Sequence, residues 1–323
     1  MRIRNVALSA LLMSGCYSQQ AGDRPLVTQA QYDRWQTELS NWGRWGKDDE
    51  LGTLNLITPA KRKQALALAK EGFSVSLARD ANAAKEVDNP CPIEWELTTD
   101  LPGTVTDRVA YQCIHGPGTT HLDSFAHMFF DGKMWNGYSR NLVTKQGGAA
   151  KVSIMTMKNG IVTRGVLYDI PRLKGVPYLE PGTRIYPEDL EAWEKKSGVK
   201  VSAGDAMILR WGKWAWREKV GARPGDEAAG FDNSVIPWLK KRDLGLLVWE
   251  TPGYLPQPAG DIPRTSLHNF VLEILGVHIL DRADLEAVAE AAAARKRWEF
   301  MLTVAPLPIP HGTGSPVNPL AIF

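Results

Sequence analysis

The run Leu244-Gly245-Leu246-Leu247-Val248-Trp249 contains no charged residue. A segment so short and so uniformly apolar reads as a strand covered on both faces, because a strand with one wet face would alternate. Ala206 to Arg210 is a further predicted strand. Strands of this kind need packed layers on either side, so the chain must also supply helices. Thr58-Pro59 opens one that runs to a stop at Gly72, with a capping threonine and a proline in the first turn. Pro187 to Lys196, Val235 to Lys241, Leu267 to Leu275 and Leu285 to Ala294 are further predicted helices. Phe73, Val75 and Leu77 alternate with Ser74, Ser76 and Ala78 as in a half-buried strand. Val152 to Met157 and Ile161 to Thr163 flank Asn159-Gly160 in the pattern of a β-hairpin. Gly165 to Asp169 and Glu299 to Ala305 complete the predicted strands. Strands and helices mix without strict alternation, which argues for an α/β class with a mixed sheet. With no repeat, charge block or long linker, one domain is expected.

The N-terminus has a different character. Met1-Arg2-Ile3-Arg4-Asn5 is basic, Val6 to Met13 is mostly apolar, and Ser14-Gly15-Cys16 places small residues before a cysteine. A membrane-spanning helix needs about 20 apolar residues, and this run is much shorter. It resembles a bacterial lipoprotein signal. Residues 1–15 are therefore expected to be a signal peptide, Cys16 the lipid attachment point, 16–31 a tether and 32–323 the folded domain. The protein would be exported, periplasmic or at the cell surface, and held to the membrane only through Cys16. An ordinary signal peptide cut nearby is the alternative. Cys91 and Cys113 then remain in an oxidising compartment, either bridged or as two buried thiols. The net charge of +2, from 38 basic and 36 acidic residues, gives no excess that would gather a polyanion. Nucleic acid is thus not an expected partner; a small-molecule substrate is. Twelve tryptophans, among them Trp42, Trp45, Trp135, Trp211 and Trp214, suit either core packing or the walls of a pocket.

Three of the six histidines fall between residues 115 and 127, in His115-Gly116-Pro117-Gly118-Thr119-Thr120-His121-Leu122-Asp123-Ser124-Phe125-Ala126-His127. Alternate side chains of an extended chain share a face, so His121 and Asp123 offer an imidazole nitrogen and a carboxylate oxygen to one cation. His127 has the same parity. This donor set suits zinc, manganese or iron(II), with positions left open for water and substrate. A His-x-Asp pair by itself is also a common hydrogen-bonded unit. There is no G-x-x-x-x-G-K-[ST] loop, no G-x-S-x-G elbow and no C-x-x-C pair. His268 and His278 are ten residues apart, about 15 Å along a continuous helix, too far to share one ion. Glu250 ends a predicted strand, facing either the site or solvent.

The His121-x-Asp123-x-x-x-His127 segment resembles the signature of the cyclase superfamily, which includes bacterial kynurenine formamidase and isatin hydrolase. Asn41 to Gly46, Asp49 to Asn55, Phe130 to Gly137, Arg164 to Leu167 and Gly312 to Pro319 are similar to other blocks of its long members. The resemblance implies a swivelling β/β/α fold, a divalent metal (Mn or Zn), hydrolysis of an amide-type carbon–nitrogen bond, and a homo-oligomer. It casts His121 and Asp123 as metal ligands and His127 as the catalytic histidine. Short members carry another ligand histidine four residues before His121, where this chain has Pro117; His115, six residues before, is the candidate to replace it. His268 lies in the region of a further ligand, and Asp281 stands roughly where short members have a glutamate. The alternatives are a non-hydrolytic cyclase or dehydratase acting on a polyketide-like substrate, or a lipid-tethered binding protein without turnover.

Overall fold

In the computed structural model, residues 26–223, 228–252, 255 and 266–323 are described. The expected signal peptide, Cys16 and residues 16–25 of the expected tether lie outside the described residues. The rest of that tether belongs to the fold. Val27 is buried, Thr28 caps helix α1 through its hydroxyl, and α1 runs from Gln29 to Glu38.

The core of the molecule is a nine-stranded mixed sheet. In chain order its strands are β1 (Ser74–Ser76), β2 (His121–Asp123), β3 (Ile161–Asp169), β4 (Ala206–Arg210), β5 (Leu246–Trp249), β6 (His278–Asp281), β7 (Glu299–Val304), β8 (Gly314–Pro316) and β9 (Leu320–Ile322). Across the sheet they lie in the order β1-β9-β7-β3-β4-β5-β6-β2-β8. The run β3 to β6 is parallel, and the strands flanking it are antiparallel. The parallel strands are buried on both faces, which explains their unbroken apolar sequences. Tyr168, Leu209, Leu247 and Ile279 enter one core, while Leu167, Ile208, Leu246 and Leu280 enter the other.

Helices cover the sheet. Between β3 and β4 comes α3 (Pro187–Ser197), and Trp193 anchors it by donating its indole N–H to the carbonyl of Leu167. Between β4 and β5 come α4 (Lys213–Val220) and α5 (Ile236–Arg242), and α6 (Glu286–Arg295) precedes β7. The segment before β6 begins as a helical turn, Ser266–Asn269, and continues as π-helix over Phe270–Ile274.

Two local expectations need correction. Helix α2 (Pro59–Leu66) starts at the Thr58 cap but ends well before Gly72. The chain leaves the helix to join the sheet edge, where Glu71 and Phe323 donate backbone N–H bonds to Phe323 and Phe73 respectively. The expected hairpin around Asn159-Gly160 is not one. Ile154–Met157 is a 3₁₀ turn that buries Ile154 and Met157, and β3 follows as a single strand through Asp169.

A separate two-stranded ribbon, Ile93–Leu101 paired with Thr104–Tyr111, stands outside the sheet. Cys91 and Cys113 close its base as a disulfide, with Cα atoms 5.9 Å apart. Trp95, Leu97, Val105 and Val109 are exposed on it, whereas Arg108 pairs with Glu94 and Glu96 at 3.1 and 2.7 Å.

Candidate metal centre

The sheet pairing brings together residues that are far apart in sequence. Strand β2 lies between β6 and β8, so that His121 is opposite Asp281 on one side and Pro316 on the other. Its central residue Leu122 is buried in one core, which leaves His121 and Asp123 together on the opposite face, as the alternation predicts. Asp281 closes β6, and His268 reaches in from the helical segment that precedes that strand.

The resulting cluster is dense and buried. His121, Asp123, His268 and Asp281 are all buried. Nε2 of His268 lies 3.2 Å from Oδ2 of Asp123 and 3.3 Å from Oδ2 of Asp281. Nε2 of His121 is 3.5 Å from Oδ1 of Asp123 and 3.9 Å from Oδ2 of Asp281. Four ligands bound to one ion at about 2.1 Å stand roughly 3.4 Å from each other, so these separations match a common coordination sphere. His121, Asp123 and Asp281 present ligand atoms within 4.8 Å of one another, as do His115, Asp123 and His127.

The partners behind the cluster fix how it can be used. Nδ1 of His121 lies 2.7 Å from the carbonyl of Thr119; a carbonyl only accepts, so the N–H sits on Nδ1 and the lone pair on Nε2. Both Nε2 of His121 and Nδ1 of His268 are buried and find no hydrogen-bond partner among the described residues, and Oδ2 of Asp123 faces Nε2 of His268. A metal-binding histidine characteristically donates its other nitrogen to a carbonyl in this way. Asp281 is held from behind by the indole N–H of Trp249, which donates to Oδ1.

Electrostatics point the same way. Burial pushes the Asp123 carboxyl up, but His115, His121 and His268 outweigh it and hold the group well below the usual carboxylate range. Burial lowers His121, against the pull of Asp123 and Asp281. Burial likewise opposes charging His268, yet its bonds to Asp123 and Asp281 raise it to about 9. A proton on His268 would set only one positive charge against the two buried carboxylates. Charge, donor type and spacing together fit a divalent ion.

Of the residues expected at the site, His115, His121, Asp123, His127 and His268 all converge on it. His127 arrives by a different route from its parity, because the strand ends at Asp123 and a turn closed by His127 N–H to Ser124 carries the chain round. Its ring stacks on His115 at 3.6 Å between centroids and lies 6.0 Å from that of His268. Burial is the main reason its pKa falls to about 4, so it is a free base at neutral pH.

Asp281, weighed in the sequence without being assigned, belongs to the cluster, and its outer partner Trp249 carried no sequence signal for that role. His278 stays outside: it stacks on Phe125 at 3.8 Å and contacts the Asp123 carbonyl at 3.1 Å, supporting the strand from behind. His311 contacts Ala149 in a loop. Glu250 neither caps the strand in solvent nor joins the cluster. It is buried, and its Oε2 accepts the backbone N–H groups of Trp211, Gly212 and Lys213 at the start of α4. Of the candidate pocket walls, Trp135 and Trp211 are core residues, and Trp214 is buried with its N–H on the Ala283 carbonyl.

A sequence profile described as putative cyclase matches residues 64–254. Among solved structures, one described as a novel cyclase aligns with a TM-score of 0.77 at 28% identity, over 89% of this chain and 99% of that one. Isatin hydrolase A from Labrenzia aggregata, bound to benzyl benzoate, aligns at 0.56 and 19% identity, over 80% and 97% of the two chains. An isatin hydrolase bound to the product analogue thioisatinate aligns at 0.56 and 16%, over 82% and 99%. The two isatin hydrolases share the fold with this chain. No curated protein matches it.

Proposed function

The chain belongs to the cyclase family, and on that premise we propose that it is a metal-dependent hydrolase that cleaves an amide-type carbon–nitrogen bond, in a cyclic amide or an N-formyl aryl amine. The observation that carries this reading is the meeting of two buried carboxylates and two buried imidazoles whose facing oxygens and nitrogens lie 3.2 to 3.9 Å apart, with Nε2 of His121 lacking a hydrogen-bond partner among the described residues. In this reading His121, Asp123, His268 and Asp281 hold a divalent ion, manganese or zinc. Such an ion, when bound, supplies Lewis acidity that polarises a carbonyl and makes water a better nucleophile at neutral pH.

The remaining steps fall to the chain's own residues. His127 is neutral at pH 7 because burial holds its pKa down, so its free ring nitrogen takes the proton from the attacking water. The same imidazole then gives that proton to the departing nitrogen, which would otherwise leave as a poor amide anion. Burial of the cluster keeps bulk water from screening these charges. We further propose that the protein is exported, held at the membrane through Cys16 and active as a homo-oligomer. These points rest on the N-terminal sequence and the family resemblance.

The test is turnover. Metal-loaded protein should open the ring of isatin or release formate from an N-formyl aryl amine, and a chelator should abolish this until metal is restored. Turnover that survives complete metal removal would sink the reading.

A further inference from the structure

The ligand histidine that short family members carry four residues before His121 is Pro117 here, and His115 comes nearest to its place. The structure shows what the His115 ring touches. Nδ1 lies 2.8 Å from Oδ1 of Asp123, and Nε2 lies 3.1 Å from the hydroxyl of Thr313. Both ring nitrogens are therefore engaged by the protein itself. A ligand imidazole must turn a lone pair to the ion, and only one nitrogen of a neutral ring carries one. The arrangement that satisfies all four groups places the proton on Nδ1, donated to Asp123, and the lone pair on Nε2, accepting from Thr313. In that arrangement no lone pair is left for a metal.

The ring is also held in place by backbone. Gly314 lies against it, and a Cβ built there would come within 2.5 Å of Cε1 and 2.9 Å of Nε2 of His115, so the ring has room only because the backbone there is bare. Gly314 pairs with Asp123 across β8 and β2. The carbonyl of Thr313 accepts both the backbone N–H and the hydroxyl of Ser124, at 3.0 and 2.8 Å. The Gly312 to Ser315 block thus binds the backbone next to Asp123 and the ring that bonds to Asp123. One face of the ring carries His127, stacked at 3.6 Å.

We propose that His115 is a positioning residue rather than a ligand: fixed by Thr313 against Gly314, it donates Nδ1–H to Asp123, orients that carboxylate toward the ion and sets the plane of the His127 ring. The proposal rests on the metal-centre reading above. It assigns to the C-terminal Gly-Thr-Gly-Ser segment the task of completing the site from the far end of the chain.

The experiment compares His115→Ala, His115→Asn and Thr313→Val with the parent protein, using cobalt(II) as the probe metal. Three quantities are read: metal bound per chain at saturation, affinity from competition with a chromophoric chelator, and the visible absorption of the bound cobalt. Thermal unfolding of each apo-protein confirms that it is folded. Asn places an amide N–H close to where His115 carries Nδ1–H but has no imidazole. For a positioning residue, His115→Ala keeps the full metal content and the cobalt spectrum of the parent while losing ten- to a hundredfold in affinity, as is usual when an outer partner of a ligand is removed. His115→Asn recovers most of that loss, and Thr313→Val shows a smaller loss of the same kind. Reduced metal content at saturation or a changed spectrum in His115→Ala makes His115 a ligand and overturns the proposal. Unchanged affinity in His115→Ala, or no recovery in His115→Asn, overturns it as well. A parent protein that takes up no cobalt, zinc or manganese refutes the metal-centre reading itself, a separate result from any difference among the variants.

Discussion

Trp249→Phe is the substitution with the clearest arithmetic. The Trp249 side chain is fully buried, packs in the same core as Phe231, and lies 6.0 Å from the His268 ring between centroids. Its indole N–H donates to Oδ1 of Asp281. Phenylalanine keeps an aromatic ring there but removes the donor, so a buried carboxylate oxygen loses its partner. A hydrogen bond to a charged group contributes about 1.5–3 kcal/mol. The void left by the smaller ring, a few tens of Å³ at about 24 cal/mol per Å³, adds on the order of 1 kcal/mol. Trp211→Phe is an internal control: that ring is also buried, but its N–H finds no partner among the described residues. Only the void term should apply to it. Denaturant unfolding of the metal-free proteins should therefore show Trp249→Phe less stable than Trp211→Phe by about the hydrogen-bond term. Competition against a chromophoric chelator should show Trp249→Phe binding metal ten- to a hundredfold more weakly than the parent, as expected when a ligand loses its outer support. Trp211→Phe should stay near the parent value. Equal metal affinities in the two variants would refute the argument that Trp249 orients Asp281.

Three further outcomes follow from the structure and the sequence. His121→Ala and Asp123→Ala should lose bound metal, whereas His127→Ala should retain most of it and lose turnover at least a hundredfold; metal analysis showing equal loss in all three would make His127 a ligand. Burial pushes Glu250 up to about 8, above its value in an unfolded chain, so the folded state holds an extra proton between about pH 4.5 and 8. The stabilisation from this group is complete below that window and is lost as pH rises through it, with a slope approaching about 1.4 kcal/mol per unit; unfolding titrations of Glu250→Gln should show that slope flattened, and an unchanged slope would assign it to other groups. Cys16→Ser, motivated by the basic start and the Ser14-Gly15-Cys16 sequence, should move the protein from the membrane to the soluble fraction, and continued membrane association would exclude the lipid anchor.

The parts of the fold visible in the sequence are those where local pattern and tertiary environment agree. Strand β4 has its expected bounds because the apolar run Ala206 to Leu209 follows the turn residues Gly204-Asp205 and ends on Arg210 just before Trp211-Gly212. Helix α3 begins with Pro187 and stops at Gly198 in a left-handed conformation, both of which are local chemistry. The segment from Val152 to Met157 misled because a short apolar run looks alike in a strand and in a tight helical turn. Only packing decided that Ile154 and Met157, three residues apart, would both turn inward. The ribbon at 93–111 was missed although Ile93, Trp95 and Leu97 alternate with Glu94 and Glu96. At the site, His121 and Asp123 were legible because two residues on one short strand need nothing but their spacing. His268 and Asp281 reach the same point only through the pairing of β6 with β5 and β2, and that long-range register leaves no local trace. The contact of Thr313 with His115 spans 198 residues and had no signal apart from family resemblance.

The disulfide at the base of the ribbon gives the chain two covalent routes to the candidate metal centre. One passes along both strands of the ribbon, and the other crosses directly from Cys91 to Cys113, two residues before His115. The ribbon is thus a side loop on a closed circuit, and its strands pair only with each other. A protease cut at the exposed tip around Gly103 would open that loop while leaving the two halves of the molecule joined, coming apart only when a reductant is added under denaturing conditions. Length and sequence between the two cysteines can therefore change while the loop that bears His115 keeps its covalent anchor, which makes the tip a natural place to graft a peptide or a label.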